Sequence, residues 1–237
     1  MSAEPALASL IDAASAPYRA AGRFAWHFAR GKLRGDPVFA ALLAQGLLAG
    51  RARVLDLGCG QGLLAAWLLA AHALEAASAW PRSWPAAPQP QLLLGVEINP
   101  REVERAQLAL GARAQVVLGD IRHVDYAAAD AIVMLDVLHY IDYAAQEAAL
   151  ARARSALTPG GVLLLRIGDA AGGAHFRLGK AVDRIVALVR RGRWLPLWCR
   201  PLREWLALLE RLGFRARVVP MSGGTPFADL LLIGEVP

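Results

Sequence analysis

The chain has 237 residues, which suits one α/β domain with additions and leaves room for a sizeable core. Hydrophobic residues make up 56%, yet no uncharged apolar run reaches the roughly eighteen residues that a membrane span needs. Two cysteines, Cys59 and Cys199, provide neither a disulfide framework nor a metal-ligand cluster, and the N-terminus lacks the basic segment of a secretory signal. We therefore expect a cytoplasmic protein without a metal centre.

The charge is basic and unevenly placed. The net charge is +6 and the isoelectric point is near 10.0, a balance that nucleic-acid-binding proteins share. Arginine outnumbers lysine by 24 to 2 (26 basic residues less Lys32 and Lys180), which with the abundant alanine and leucine is typical of a GC-rich genome. Residues 170–217 hold eleven basic and three acidic residues. This basic segment can attract RNA, anionic lipid or an acidic protein, and nucleic acid is the partner that we favour least.

The first fifty residues are predicted to form a helical cap or lid. Within residues 18–32, aromatic and basic side chains recur at helical spacing. Two interpretations stay open. The segment is either a helix packed on the sheet with a solvated basic face, or a lid whose Arg30 or Lys32 reaches the carboxylate of a ligand.

The stretch from Val54 to Gly62 is the most informative part of the chain. A short apolar strand ends near the carboxylate of Asp56, glycines follow at alternate positions, and a helix is predicted over residues 63–77. Glycines allow backbone N–H groups and the helix N-terminus to approach a ligand closely. Because Asp56 would repel a phosphate, its position favours a nucleoside with an ammonium group over a nucleotide as the ligand.

The pattern of apolar run, acid and helix then recurs. After a proline-rich loop at residues 80–90, strands are predicted at 91–97, 114–120, 131–136 and 162–167. Helices are predicted at 101–110, 143–157 and 202–212, with a turn at 158–161. Two closing strands are predicted at 214–219 and 227–236. Apolar strands that alternate with helices predict a parallel sheet covered on both faces. Its C-terminal edge, where ligands bind, would receive four acids: Asp56, Glu97, Asp120 and Asp136.

The string Asp56-Leu57-Gly58-Cys59-Gly60-Gln61-Gly62 resembles the first motif of the class I S-adenosylmethionine-dependent methyltransferases. A dehydrogenase fingerprint counted from Gly58 would need glycine at Leu63, and a P-loop would need a Gly-Lys-Ser/Thr string. The resemblance covers about residues 51–169 and 201–236. It implies an α/β fold with a doubly wound, Rossmann-like seven-stranded sheet of order 3-2-1-4-5-7-6, whose last strand is antiparallel. The helical cap at 1–50 then precedes a methyltransferase domain at 51–237, which carries a basic, lid-like insertion at about 170–200.

The resemblance also implies S-adenosyl-L-methionine as the cofactor. The turn of Gly58, Cys59, Gly60 and Gly62 would lie against the methionine and ribose portions, with Cys59 as a small packing residue. Asp56 would help to fix the methionine ammonium, directly or through water. Glu97 would accept hydrogen bonds from both ribose hydroxyls, a task suited to a carboxylate.

Five further cofactor-site residues follow from the same resemblance. Ile98 would pack on the adenine face, and Asp120, followed by Ile121, would accept a hydrogen bond from the adenine amino group. Asp136 and Val137 would lie beside the methionine end and the transferring methyl.

Methyl transfer needs alignment of nucleophile and methyl, and a base where the nucleophile carries a proton. His139, three residues after Asp136, is the first candidate base, and His175 is its rival. A pocket-wall role for His139 stays open. Further residues are expected to contact the acceptor: Tyr18, His27, Tyr140 and Trp194.

The acceptor is predicted from what the chain lacks. After Asp136 it has Val137-Leu138-His139 in place of the Pro-Pro-Tyr/Phe string of amino-methylating DNA enzymes, and neither cysteine is placed for cytosine-C5 chemistry. What remains resembles the small-molecule branch, acting on a hydrophobic or aromatic metabolite of secondary metabolism, free or bound to an acidic carrier protein. Two alternatives stay open: an RNA methyltransferase that uses the basic insertion, and a non-catalytic binding partner with a cofactor fold.

Overall fold

A computed structural model describes residues 3–171, 196–221 and 229–237. Its seven strands follow the order β3-β2-β1-β4-β5-β7-β6, and β7 is antiparallel to both of its neighbours. The predicted fold class and strand order are therefore confirmed. The chain divides into two compact units, Met1–Asp120 and Ile121–Pro237, called below the N-terminal and C-terminal units.

The N-terminal unit contains five α-helices and three parallel strands. They are α1 (Ala3–Ser15), α2 (Arg23–Gly35), α3 (Pro37–Ala44), β1 (Arg53–Leu57), α4 (Leu63–Ala76), β2 (Leu92–Glu97), α5 (Pro100–Leu110) and β3 (Gln115–Leu118), with short 3₁₀ turns at Ala16–Arg19 and Gly111–Arg113. In the parallel register Asp56 lies beside Gly95, and Glu97 lies beside Leu118. The ends of these strands therefore carry the acids that the sequence placed there.

The helices of this unit begin where the sequence provides caps. Asp36 accepts from the backbone N–H of Val38 at the start of α3, and Asn99 accepts from that of Arg101 at the start of α5. Each cap is followed by a proline, whose fixed φ suits the first turn of a helix. The loop at residues 80–90 has neither helix nor strand, as its prolines predict.

Helix α4 forms the centre of the N-terminal unit. Its buried positions lie on all sides of the helix, and Trp67 is fully buried with its indole N–H donating to the carbonyl of Phe39 over 2.8 Å. A helix that is apolar all round must be covered on every side. Helix α1 packs against α4 and supplies part of that cover, and its Leu10 and Ile11 are buried.

The C-terminal unit contains four strands and two α-helices among its described residues. They are β4 (Ala129–Leu135), α6 (Tyr143–Ala156), β5 (Leu157–Gly168), α7 (Leu202–Arg211), β6 (Arg215–Pro220) and β7 (Asp229–Glu235), with a 3₁₀ turn at Leu138–Tyr140. Strands β4 and β5 are parallel. Asp142 caps α6 by accepting from the N–H of Ala145 over 2.8 Å.

One predicted boundary is wrong. The sequence places a turn at residues 158–161, but β5 already begins at Leu157 and includes this segment. Leu157 pairs with Ala129 of β4, and Val236 exchanges backbone hydrogen bonds with Gly160 and Gly161. The partners on both sides thus recruit a Pro-Gly-Gly segment into the ladder, with an irregular register between Ala129 and Ala131.

Two absences concern only the part of the chain that the structure describes. Within residues 3–171, 196–221 and 229–237, no helix is both long and apolar enough to cross a membrane. Over the same ranges, no cluster of three or more His, Cys, Asp or Glu side chains could hold a metal ion.

Gly62→Ala should lower the free energy of unfolding by about 2–4 kcal/mol, because strain at a positive φ adds to overpacking. Gly62 has φ +79°, and a Cβ there would lie 2.7 Å from Cδ1 of Leu110 and 3.3 Å from Cβ of Ala106. Gly50→Ala is the matched control, since Gly50 has φ +70° and open space beside it. It should cost only about 1–2 kcal/mol. Urea unfolding measures both losses, and equal losses would contradict the close approach of this turn to α5.

Candidate functional site

The turn between β1 and α4 is shaped by its glycines. Gly58, Gly60 and Gly62 all have positive φ, at +81°, +56° and +79°. The N–H groups of Gly58 and Cys59 both donate to the carbonyl of Val96, over 2.8 and 3.1 Å, which ties the turn to β2. A Cβ on Gly60 would meet no atom within 4 Å, so this face of the turn is open to a ligand.

The side chain of Cys59 packs inward. A Cβ on Gly95 would lie 2.7 Å from Sγ of Cys59, so the thiol occupies the space that a side chain in β2 would otherwise fill. Burial raises the pKa of this thiol, which therefore stays protonated, and it contacts the carbonyl of Gly60 at 3.6 Å. Any contact of Cys59 with a cofactor would thus involve its backbone, in line with the packing role that the sequence indicates.

The carboxylate of Glu97 is held by two backbone N–H groups. Oε2 accepts from Gly60 over 3.0 Å, and Oε1 accepts from Asn99 over 2.8 Å. Each carboxylate oxygen can accept two hydrogen bonds, so one acceptor position remains on each oxygen. Two free acceptor positions on one rigid carboxylate suit a pair of neighbouring hydroxyls.

Asp56 is a buried acid beside a second acid. It is 8% exposed and lines a small, otherwise apolar cavity with Val54, Cys59 and Gly95. Burial, and then the charge of Glu97, raise the pKa of Asp56 to about 7. A cation that reached this carboxyl would favour its ionised form.

The predicted adenine contacts differ in exposure. Ile98 is 41% exposed although it is a large apolar side chain, and Asp120 is half-buried. The N–H of Gly119 donates to the backbone carbonyl of Glu97 over 2.9 Å, which brings the end of β3 to the end of β2. Ile121 is buried in the C-terminal unit, where its carbonyl accepts from the hydroxyl of Tyr126 over 2.7 Å.

The predicted acceptor residues of the N-terminal unit lie in different environments. Tyr18 is fully buried, and its hydroxyl donates to the carbonyl of Gln61 over 2.9 Å. His27 is exposed and its ring lies 4.5 Å from that of Trp26. The hydroxyl of Tyr18 thus holds the glycine turn, and its buried side chain has no surface open to an acceptor in this structure.

The ionic groups of the predicted lid are engaged locally. Arg30 pairs with Asp12, and Lys32 pairs with Asp36 over 2.7 Å. The arrangement therefore agrees with a packed helix that carries a basic face.

In the C-terminal unit, Asp136 pairs with a buried arginine. Arg166 of β5 is 3% exposed, and its Nε donates to Oδ1 of Asp136 over 2.8 Å while Nη2 contacts Oδ2. Asp136 has φ +57°, which is uncommon for a residue other than glycine. Val137 follows at the start of the 3₁₀ turn and is half-buried.

The turn that carries His139 is tied to the segment after the insertion. The carbonyl of His139 accepts from the N–H of Trp198 over 2.9 Å, and its ring lies 4.1 Å from that of Tyr140. Gln146 is fully buried and its amide donates to the carbonyls of Leu138, Ile141 and Trp198. These bonds fix the turn beside the last residues of the insertion.

Two predicted site residues, His175 and Trp194, lie outside the described residues, as does most of the basic insertion. Sequence reasoning gave no role to Gln61, Gln146 or Arg166. The signal for Arg166 was present, because one arginine in an otherwise apolar strand requires a partner.

The residues present fit the cofactor that the sequence resemblance implies. The open face beside Gly60, the free acceptor positions on Glu97 and the exposed side chain of Ile98 offer a backbone surface, a diol acceptor and an apolar wall. The acidic pair of Asp56 and Glu97 favours a ligand that carries positive charge.

Two sequence comparisons agree with this arrangement. Residues 55–163 match a family model described as a methyltransferase domain. A carboxy-S-adenosyl-L-methionine synthase from Chromohalobacter salexigens is 36% identical over 143 residues, which cover 56% of this chain and 48% of that protein. The chain thus spans about half the length of the curated relative that it matches.

Solved structures share the fold. Magnesium protoporphyrin IX methyltransferase from Synechocystis with bound S-adenosylhomocysteine (SAH) has a TM-score of 0.58 at 20% identity, over 91% of this chain and 88% of that chain. An O-methyltransferase family protein from Burkholderia thailandensis has a TM-score of 0.62 at 18% identity, over 92% and 61%. Mitomycin 7-O-methyltransferase has a TM-score of 0.58 at 24% identity, over 88% and 56%.

The matched domain contains the glycine turn and Glu97, within a sheet of the predicted strand order. The methyltransferase domain matched over residues 55–163 and the shared fold therefore agree with the resemblance to the class I S-adenosylmethionine-dependent methyltransferases.

Proposed function

We propose that this chain binds S-adenosyl-L-methionine and transfers its methyl group to a small hydrophobic or aromatic metabolite, free or presented by a carrier protein. The observation that carries the proposal is the carboxylate of Glu97, fixed by Gly60 and Asn99 beside the buried acid Asp56. A ribose diol and a cationic amino acid end on one ligand match these two acids.

The cofactor would supply an electrophilic methyl group on its sulfonium, and residues of this chain would hold and orient the cofactor. Glu97 fixes the ribose, Ile98 packs on adenine, and Asp120 accepts from the adenine amino group. Asp56 takes up the ammonium in its ionised form. Asp136 and Val137 stay predictions as contacts near the methyl.

The described surroundings of His139 favour an acceptor without net positive charge. Two carboxylates of the C-terminal unit in this region are paired with arginines, Asp136 with Arg166 and Glu147 with Arg200 and Arg211. Aromatic rings are close by: Tyr143 lies 5.1 Å from Trp198, and His139 lies beside Tyr140. Aromatic side chains can pack against a phenol or a similar aromatic acceptor. Carboxylates that are already paired with arginines offer little attraction to a cationic acceptor. The cytoplasmic location stays a prediction.

The similarity to a carboxy-S-adenosyl-L-methionine synthase favours one alternative, in which a carboxyl donor among the small metabolites supplies a carboxyl group to the cofactor and no acceptor is methylated. Mass spectrometry of the cofactor distinguishes the two. Incubation of the purified chain with S-adenosylmethionine and an extract of small metabolites should yield SAH and a methylated product. A carboxylated cofactor without SAH would replace our proposal by the alternative.

Glu97→Gln should weaken SAH binding by about 1.5–3 kcal/mol, the usual contribution of hydrogen bonds to a charged group. Glu75→Gln is the matched control, because Glu75 also accepts from a backbone N–H, that of Ala87 over 2.9 Å, in the same unit. Calorimetry should show the loss for Glu97 alone. Equal affinities of the two variants for SAH would show that Glu97 does not contact the cofactor. If the folded wild-type chain does not bind SAH, the proposed cofactor is refuted.

The raised pKa of Asp56 predicts two pH dependences of opposite sign. The folded chain retains the proton up to about pH 7, whereas an unfolded chain loses it near 3.8, so the free energy of unfolding should fall as pH rises between these values. Binding of an ammonium prefers the ionised carboxyl, so SAH affinity should rise between pH 6 and 8, roughly the range around the folded pKa. Asp56→Asn should flatten both dependences, as measured by urea unfolding and calorimetry. If the variant keeps the wild-type slopes, another group titrates.

His139→Ala should lower kcat by about a hundredfold or more, the usual size of a general-base effect, and leave SAH affinity unchanged. The assay uses the acceptor identified by mass spectrometry, with His72→Ala, at an exposed histidine of α4, as the control. A higher KM with an unchanged kcat would indicate that His139 only forms part of the pocket wall. Unchanged kinetics would transfer the role to His175, or to no base at all.

A further inference from the structure

The glycine turn is also held by the N-terminal helices. The hydroxyl of Tyr18 donates to the carbonyl of Gln61 over 2.9 Å, and Nε2 of Gln61 donates to the carbonyl of Ala25 in α2 over 3.0 Å. Tyr18 and Ala25 are fully buried, and Gln61 is 1% exposed. Burial chiefly raises the pKa of Tyr18, so its hydroxyl remains a donor.

Gln61 stands between two residues of the cofactor turn. Gly60, on one side, donates its N–H to the carboxylate of Glu97, and Gly62, on the other, begins α4 in a left-handed conformation. Continuous contacts therefore run from α2 through Gln61 and Gly60 to Glu97. A shift of α2 would move the amide that orients Glu97.

The amide of Gln61 is incompletely satisfied. Within the part of the chain that the structure describes, its Oε1 is buried and accepts no hydrogen bond. A buried acceptor without a donor costs free energy, and an apolar side chain of similar length would avoid that cost. The stability of the turn alone therefore does not account for glutamine at this position.

We propose that Tyr18 and Gln61 are positioning residues that couple α2 to the cofactor turn. They hold the Gly60 amide on Glu97, and occupancy of the turn in return restrains α2. The proposal rests on the proposed function in one respect, that the glycine turn and Glu97 bind the cofactor. It replaces the expectation that Tyr18 contacts the acceptor.

The test is hydrogen exchange by mass spectrometry on the full chain, with and without SAH, together with calorimetry. Two variants remove the contacts separately: Gln61→Met keeps the length and volume of the side chain, and Tyr18→Phe keeps the buried ring. Gln107→Met is the matched control, since its amide donates to the carbonyl of Val116 over the same 3.0 Å in the same unit.

Without SAH, both variants should exchange faster than wild type in α2 and in the glycine turn. With SAH, wild type should gain protection in α2 as well as at the ends of β1 and β2. Gln61→Met should lose the gain in α2 and bind SAH about three- to tenfold more weakly, although its unfolding midpoint in urea stays at or above that of wild type. Gln107→Met should match wild type in affinity and protection.

If Gln61 had a purely structural role, Gln61→Met would lower the unfolding midpoint in urea together with the affinity for SAH. That result would overturn the proposal. So would SAH binding by wild type without added protection in α2, or variants whose exchange equals that of wild type. If wild type binds no SAH, the proposed function fails first and this coupling fails with it. Binding without coupling refutes the coupling alone.

Discussion

The N-terminal unit depends on one carboxylate. Glu97 accepts from Gly60 in the loop after β1 and from Asn99 in the loop after β2, and so adds a side-chain link to the backbone bonds that Gly58 and Cys59 donate to Val96. Bonds to an ionised acceptor are about twice as strong as neutral ones, which makes this junction stiff. The charge of Glu97 disfavours a second charge on Asp56. Burial and this neighbouring charge raise the pKa of Asp56. The unit thus holds an acidic pair that a cation would relieve.

The N-terminal helices follow from the burial of α4. Its buried residues lie on all sides, so the sheet can cover only part of the helix, and α1 together with the contact between Trp67 and Phe39 supplies further cover. The same helices bring Tyr18 and Ala25 to Gln61. What resembles an addition to a shared core is therefore part of the packing of this unit, and removing it would expose α4 as well as the glycine turn.

The sequence predicted what depends on local pattern. The glycine turn and the ends of α4, α5 and α6 were correct to within one or two residues, because glycines, caps and apolar runs determine them locally. The order of the strands was also correct, but it came from the family resemblance and not from local pattern. It did not predict contacts between distant segments. The predicted turn at 158–161 became part of β5 because Leu157 pairs with Ala129 and because Gly160 and Gly161 exchange backbone hydrogen bonds with Val236. Tyr18 was assigned to the acceptor, although its hydroxyl donates to the carbonyl of Gln61. Residues 172–195 fall outside the described structure, so the assignment of His175 and Trp194 stays a prediction.

The C-terminal unit uses buried polar groups in another way. Arg166 lies inside a strand that is otherwise apolar, and its pairing with Asp136 satisfies a charge that would be costly alone. Gln146 satisfies three carbonyls at once and accepts from Arg200 over 2.9 Å. Such groups constrain direction as well as distance, because each donor must aim at its acceptor. The turn of His139 and the segment at Trp198 are consequently fixed to the same amide. A shift of the segment at Trp198 would therefore move the turn of His139 through Gln146.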